Sequence, residues 1–376
     1  MSRKIRVGIV GMGRAGRFMH VPELEQNSEL FEIVALCDRD PERRKDLPAF
    51  ASHARTYGEF EEILADPEVE LLTIAVRNAD HTPYAIRALE AGKSVVIEKP
   101  IAVSMEQIRE LKKANDRFPG KLFLRFNRRF EPAFLCLREV IESGVLGRIS
   151  LCKLYRQVGY VRRLDWQTLV KNRGGMLNNW GPHLIDQACQ LLEDTVVDVW
   201  CDMKHLVAAG DAEDQIKLLL RAANGRVADI EITTTVTMQN FLYEIWGDRG
   251  TAIVDPAGST IRVRYVDPAQ KLPKLEAVDG QFPLAYGNPY EKLSFIEKEI
   301  PVRQEIGHTL QRGLLQQSSV VDPSRGYAHQ DTIWRCVYAS MVLGEAYPIR
   351  FEDGMEVVRI TEEARRVSGF VPAPLE

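Results

Sequence analysis

Residues 11–16 read Gly-Met-Gly-Arg-Ala-Gly and follow directly on an apolar, β-branched run, Ile5–Val10. Glycines at this spacing, between a strand and a helix, leave a chain few options. Gly11 permits a tight turn out of the strand, Gly13 lets backbone approach a bound group closely, and Gly16 lets the helix pack on the strand. A helix starting there points unpaired N–H groups at whatever sits above the loop, which suits a phosphate. Asp38 ends the next apolar run, 31–37 (FEIVALC), near the ~20-residue offset at which a carboxylate meets the ribose of a dinucleotide. A carboxylate there accepts from ribose hydroxyls and repels a 2′-phosphate, so NAD is the expected cofactor. Arg39, Arg43 and Arg44 lie close enough in sequence that NADP is not excluded. The expected cofactor loop is thus Gly11, Met12, Gly13, Arg14, Ala15 and Gly16, with Asp38 and Arg39.

The rest of the first third repeats the same alternation. Runs at 71–76 (LLTIAV), 94–98 (SVVIE) and 121–126 are apolar almost throughout, as in parallel strands covered on both faces. Amphipathic stretches separate them: 82–91 ends at Gly92, a helix-terminating glycine, and 104–117 opens with Ser104 and Gln107 at capping-box spacing. Strand, crossover and strand in repetition predict a doubly wound parallel sheet. A helix at 132–143, with Pro132 in its first turn and Gly144 past its end, follows.

After about residue 148 the pattern changes to alternating or β-rich stretches at 149–158, 196–207, 215–220, 227–236 and 242–246. Asn224-Gly225 between two of them predicts a two-residue hairpin. A mainly antiparallel sheet is expected, with final helices at about 329–343 and 354–367 packing back on the body. With 376 residues the chain exceeds a single core, and the expected division is 1–126 and 127–376.

Charge and composition narrow the function. A net charge of −4 without clustered Lys and Arg argues against nucleic acid. No apolar run is long enough to span a bilayer. Arg3, Lys4 and Arg6 precede an apolar run, but it stops at Gly11, too soon for a signal peptide. Six scattered cysteines without a Cys-x-x-Cys pair fit reduced thiols of a cytoplasmic protein, and no metal site is expected.

Glu98-Lys99-Pro100 at a strand end, downstream of the glycine loop, resembles the glucose–fructose oxidoreductase / inositol dehydrogenase / rhizopine catabolism (Gfo/Idh/MocA) family. Asn78-Ala79-Asp80-His81 looks like that family's Asn-x-x-His loop near the nicotinamide, and Asn127-Arg128-Arg129-Phe130 like its Asn-Arg-Arg segment. Residues 174–186 look like its glycine-rich stretch ending in Gly-x-His-x-x-Asp. The resemblance implies a Rossmann domain followed by an open, mostly antiparallel sheet domain for substrate and subunit contacts, hence a homo-oligomer. It also implies hydride transfer between NAD(P) and a hydroxyl or carbonyl carbon of a sugar, cyclitol or small polyol. Asn78, His81, Glu98, Lys99 and Asn127 join the expected cofactor contacts.

Oxidising a secondary alcohol takes a hydride from carbon and a proton from oxygen. Lys99, at the carboxyl edge of a parallel strand, is the expected proton-handling group, its pKa lowered by burial and by a positive ring. The family match makes His183, at a helix start, a partner for the reacting oxygen. Asn179 departs from the aspartate common in the family four residues earlier. It can hydrogen-bond a hydroxyl but cannot take a proton, so a Lys–Asp–His relay is not available in its usual form. This departure keeps open a redox-neutral, NAD-dependent glycoside-cleaving enzyme, and a non-catalytic sensor is a third reading. Arg129, Tyr155 and Arg156 are further candidates for lining the substrate cleft, Trp166 for stacking on a sugar ring, and His20 for approaching the nicotinamide. Asp186 is expected to be structural.

Overall fold

Strands that are apolar throughout need cover on both faces, and the first sheet has it. The computed structural model describes residues 3–45, 47–277, 287–288, 291–303 and 328–372. Six strands form this sheet: β1 (Ile5–Val10), β2 (Phe31–Cys37), β3 (Arg55–Tyr57), β4 (Leu71–Ile74), β5 (Ser94–Glu98) and β6 (Leu122–Arg125). They run parallel in the order β3-β2-β1-β4-β5-β6. Only β3 escapes the sequence reading, because it is three residues long and unburied, so no apolar run marks it. The strand order reverses between β1 and β4, the place at which open parallel sheets bind ligands beyond their carboxyl ends.

The chain leaves the glycine loop through a π-helical turn, Gly16–His20, that runs into α1 (Val21–Gln26). Next come α2 (Phe60–Ala65), α3 (His81–Glu90) and α4 (Met105–Arg117). Ser104 caps α4 by accepting from the Gln107 N–H at 3.3 Å. The Gln107 side chain reaches back to the Val103 N–H at 3.1 Å rather than to Ser104, so the expected reciprocal box is displaced by one residue.

After α5 (Pro132–Glu142) comes an eight-stranded sheet of β7 (Ile149–Gln157), β8 (Val196–Lys204), β9 (Gln215–Ala222), β10 (Val227–Thr233), β11 (Tyr243–Gly247), β12 (Gly250–Val254), β13 (Thr260–Val266) and β14 (Phe295–Pro301). Its order is β14-β13-β12-β11-β7-β10-β9-β8, antiparallel except for the β7–β10 pair. The hairpin between β9 and β10 differs from expectation. Ala222 bonds Arg226, so Ala223, Asn224 and Gly225 make a three-residue loop, with Gly225 at φ +86°.

One face of this sheet is covered by α5, α6 (Met176–Asn179) and α7 (Gly181–Leu192). The other leaves Trp200, Trp246 and Phe295 exposed. Of the last helices, α8 (Ala328–Tyr338) returns to α1 of the first domain, and α9 (Phe351–Ser368) lies along β8 and α7 and reaches α4. Trp334 packs edge-on against Phe31, and the Tyr347 hydroxyl donates to the Leu124 carbonyl at 2.9 Å. The six cysteines are free thiols. Among the described residues no helix is long and apolar enough to cross a membrane, and no group of His, Cys, Asp or Glu could hold a metal ion.

Candidate active site

The carboxyl edge of the first sheet gathers Gly11 after β1, Asp38 after β2, Asn78 after β4, Lys99 after β5 and Asn127 after β6. In the loop after β1 the glycines have different causes. A Cβ on Gly11, at φ +95°, would overlap the Ala75 carbonyl, and one on Gly16 would overlap the Gly11 carbonyl. At Gly13 a Cβ would meet nothing nearer than the Arg43 guanidinium at 3.8 Å. The protein itself therefore does not require glycine there, and the open space suits the close approach of a pyrophosphate. Asp38 accepts the Met12 N–H at 2.8 Å and the Asp40 N–H at 2.9 Å, fixing its carboxylate beside the loop. Arg43 stands 3.6 Å from that carboxylate, while Arg39 is exposed and turned to the Tyr84 hydroxyl and Glu59. These residues fit a dinucleotide.

Lys99 begins a cis peptide bond to Pro100. Its Nζ donates to the Asn179 main-chain carbonyl at 2.8 Å, across from the second sheet's helices. Burial, reinforced by the charges of Arg14, Arg128 and Arg125 against the opposing pull of Glu98, draws its pKa down to about 8. His183 lies in the first turn of α7. Burial first, and then the charges of Lys99 and Arg128, push its pKa well below the usual imidazole value. It is thus neutral at neutral pH, and its buried Nδ1 has no partner among the described residues. Asn179 donates its amide to Gln167 Oε1 at 2.8 Å, and Gln167 also accepts from Arg163 at 2.5 Å.

Several expected contacts are placed elsewhere. Glu98 is buried beneath Lys99, where its Oε1 meets His20 at 2.9 Å and Arg125 at 2.6 Å. The Arg125 guanidinium continues to Glu23 at 2.6 Å, and Glu23 accepts the Trp334 indole N–H at 2.7 Å. The side chains of Glu98 and His20 therefore belong to a buried polar network. His20 also meets the Thr73 hydroxyl at 3.0 Å. His81 is buried with its ring nitrogens at the Pro100 carbonyl, 2.8 Å, and the Val76 carbonyl, 3.2 Å, so it holds the turn that carries Lys99. Asn78 donates to the Arg173 carbonyl at 2.7 Å and ties the two walls of the cleft together. Asn127 is buried where β6 ends.

On the second wall, Arg129 pairs with Asp186 and, at 2.9 Å, with Asp353, so it braces α9 on α7 instead of lining the cleft. Asp186 is buried against Arg129. Strand pleating separates Tyr155 from Arg156. Tyr155 lies on the outer face of β7, stacked on Phe241 at 4.9 Å with Lys217 over its ring, whereas Arg156 points under the sheet to Trp180. Trp166 presents its ring to Arg77, 5.5 Å away on the first wall, so that guanidinium occupies the position given to a sugar. Sequence reading passed over Arg125, Glu23 and Trp334, whose partners are far apart in the chain. It also passed over Trp180 and Gln167, although Trp180 stands beside the flagged Asn179.

A family model described as "Oxidoreductase family, NAD-binding Rossmann fold" (GFO_IDH_MocA) matches residues 5–125, and that of the GFO/IDH/MocA C-terminal domain matches residues 134–253. Inositol 2-dehydrogenase of Rhizobium meliloti (strain 1021) is 26% identical over 78% of this chain and 89% of its own. The scyllo-inositol 2-dehydrogenase (NADP(+)) IolW of Bacillus subtilis (strain 168) is 26% identical over 97% of this chain and 94% of its own. The solved structure of the WlbA dehydrogenase from Bordetella pertussis, in complex with NADH and UDP-GlcNAcA, shares the fold with a TM-score of 0.71. It is 22% identical, with 100% of both chains covered.

Proposed function

The chain belongs to the GFO/IDH/MocA oxidoreductase family, and from that premise we propose that it interconverts a secondary alcohol and a carbonyl on a sugar or cyclitol. The observation that carries this reading is Lys99, a largely buried amine at the sheet's carboxyl edge whose pKa is drawn down to about 8. A nicotinamide dinucleotide, when bound, supplies the hydride acceptor or donor. Gly11 to Gly16 and Asp38 hold it, and the carboxylate of Asp38 favours NAD.

In the oxidative direction neutral Lys99 takes the proton from the substrate hydroxyl, and in the reductive direction its ammonium returns it. His183, neutral and with a free ring nitrogen, orients the same oxygen by a hydrogen bond. Asn179 has its amide N–H engaged by Gln167, which leaves Oδ1 to accept from a neighbouring substrate hydroxyl. Proton handling then rests on Lys99 and His183 without a carboxylate between them. The exposed face of the second sheet, with Trp200, Trp246 and Phe295, is the proposed contact of a homo-oligomer, and light scattering measures its mass.

The test is NADH formation by purified protein across cyclitols, free sugars and glycosides. The expected result is reduced cofactor accumulating with a cyclitol or sugar. Lys99→Met is expected to lower kcat/KM by about 10²- to 10⁴-fold at unchanged melting temperature. Glycoside cleavage without free NADH, or full turnover by Lys99→Met, would overturn the reading.

A further inference from the structure

Two guanidiniums lie over the ring of Trp180, with Arg128 Cζ at 5.0 Å and Arg156 Cζ at 4.7 Å from its centroid. Both are tethered by one carboxylate, Glu131, at 2.8 Å and 3.2 Å, and the Tyr243 hydroxyl holds that carboxylate at 3.1 Å. Among the described residues one acid therefore answers two cations. Arg156 Nε is buried without a partner, and Arg128 makes no hydrogen bond through Nε or Nη2 among the described residues. A cavity of about 230 Å³ opens at Arg156 and Trp180, lined also by Tyr155, Gln157, Gln239, Asn240 and Phe241. At about 30 Å³ per water it has room for more than a carboxyl group.

The cations reach the reacting residues. Arg128 depresses the pKa of both Lys99 and His183, Arg156 that of His183, and Arg14 adds its charge at Lys99. Among the described residues the nearby acids are already matched, Glu98 by Arg125 and Asp165 by Arg163. A neutral polyol would leave this excess positive charge unanswered. An anion would relieve it, because a guanidinium presents paired donors that match the oxygens of a carboxylate or phosphate.

Resting on the dehydrogenase reading above, we propose that the natural substrate is an acidic sugar or cyclitol, whose carboxylate or phosphate sits against Arg156 and Arg128 beside Trp180. The anion anchors one end of the molecule, and the ring hydroxyl to be oxidised extends towards Lys99 and His183.

The test compares kcat/KM, read as NADH formation at saturating NAD, for a hexose, the matching hexuronate and the matching hexose phosphate, and likewise for a cyclitol and its phosphate. An anionic member is expected to exceed its neutral counterpart by about tenfold to a hundredfold. Its KM is expected to rise with salt. The better of carboxylate and phosphate identifies the anion, and either supports the proposal. Arg156→Gln should shrink the acid-to-neutral ratio towards one. Arg128→Gln, whose parent side chain is a quarter exposed, gives the same readout if the buried substitution does not fold. Equal turnover of neutral and acidic partners, or a ratio unchanged in the folded variants, overturns the inference and leaves the dehydrogenase reading standing. Silence on every substrate overturns both.

Discussion

Along one wall of the cleft, from Gly11 to Gly16, the chemistry depends on where side chains are missing, whereas along the other, from Arg156 to His183, it depends on which way side chains point. A missing side chain is a property of the residue and survives any error in register. Direction is a property of the pairing, and a shift of one position reverses it. Neighbours on the second wall therefore part company: Arg128 lies over Trp180 while Arg129 is paired to Asp186 and Asp353, and Arg156 faces in while Tyr155 faces out. The lesson is that a motif spelled in glycine can be carried onto a structure residue by residue, whereas a motif spelled in arginine must first be oriented.

Four measurements bear on that contrast. Arg129→Met would strand the carboxylate of Asp186 in the interior, while Asp353 keeps Arg350, and unfolding in urea should show a loss of about 3–5 kcal/mol. The substrate KM of the folded fraction should stay at its wild-type value, and a large rise would return Arg129 to the cleft. The second is a pH profile. Lys99 is charged below its pKa of about 8 and neutral above it, so alcohol oxidation should rise about tenfold per pH unit up to that point and then level. Carbonyl reduction, which uses the ammonium, should fall above it, and a flat profile in both directions would remove Lys99 from proton transfer.

The third compares two glycines of one loop. Gly16→Ala drives a methyl group into the Gly11 carbonyl and should cost about 1–3 kcal/mol of stability. Gly13→Ala meets open space, so its melting temperature should hold while NADH affinity, followed by fluorescence titration, falls on the order of tenfold. Equal behaviour of the two variants would dissolve the distinction between glycines kept for the fold and those kept for the ligand. The smallest effect belongs to Tyr155→Ala, which gives up the stack on Phe241 and about 1 kcal/mol, read as a small fall in melting temperature.

What was legible in the sequence follows the same division. Five of the six strands of the first sheet announce themselves as apolar runs, and the loop, Asp38 and Lys99 sit where strand ends put them. Their positions follow from local pattern and from the rule that ligands bind at the carboxyl edge. The side-chain partners of Glu98 and His81 are not legible, because motif membership records that a residue is near a site without saying what its side chain meets. Glu98 has Arg125 to satisfy and His81 has two carbonyls, and neither partner adjoins it in sequence. Trp166 looked like a platform for sugar because nothing local discloses Arg77 on its ring.

The indole of Trp334 has a consequence for how the molecule comes into being. Its N–H reaches Glu23, and its ring covers Phe31 and His20, so chain made about 300 residues later seals groups made before it. During synthesis, a nascent chain that has just completed β6 presents Phe31 and the Glu23–Arg125 pair without that cover. The first sheet is thus made before the helix that completes it, and a fragment cut after residue 126 would inherit that exposed seam permanently.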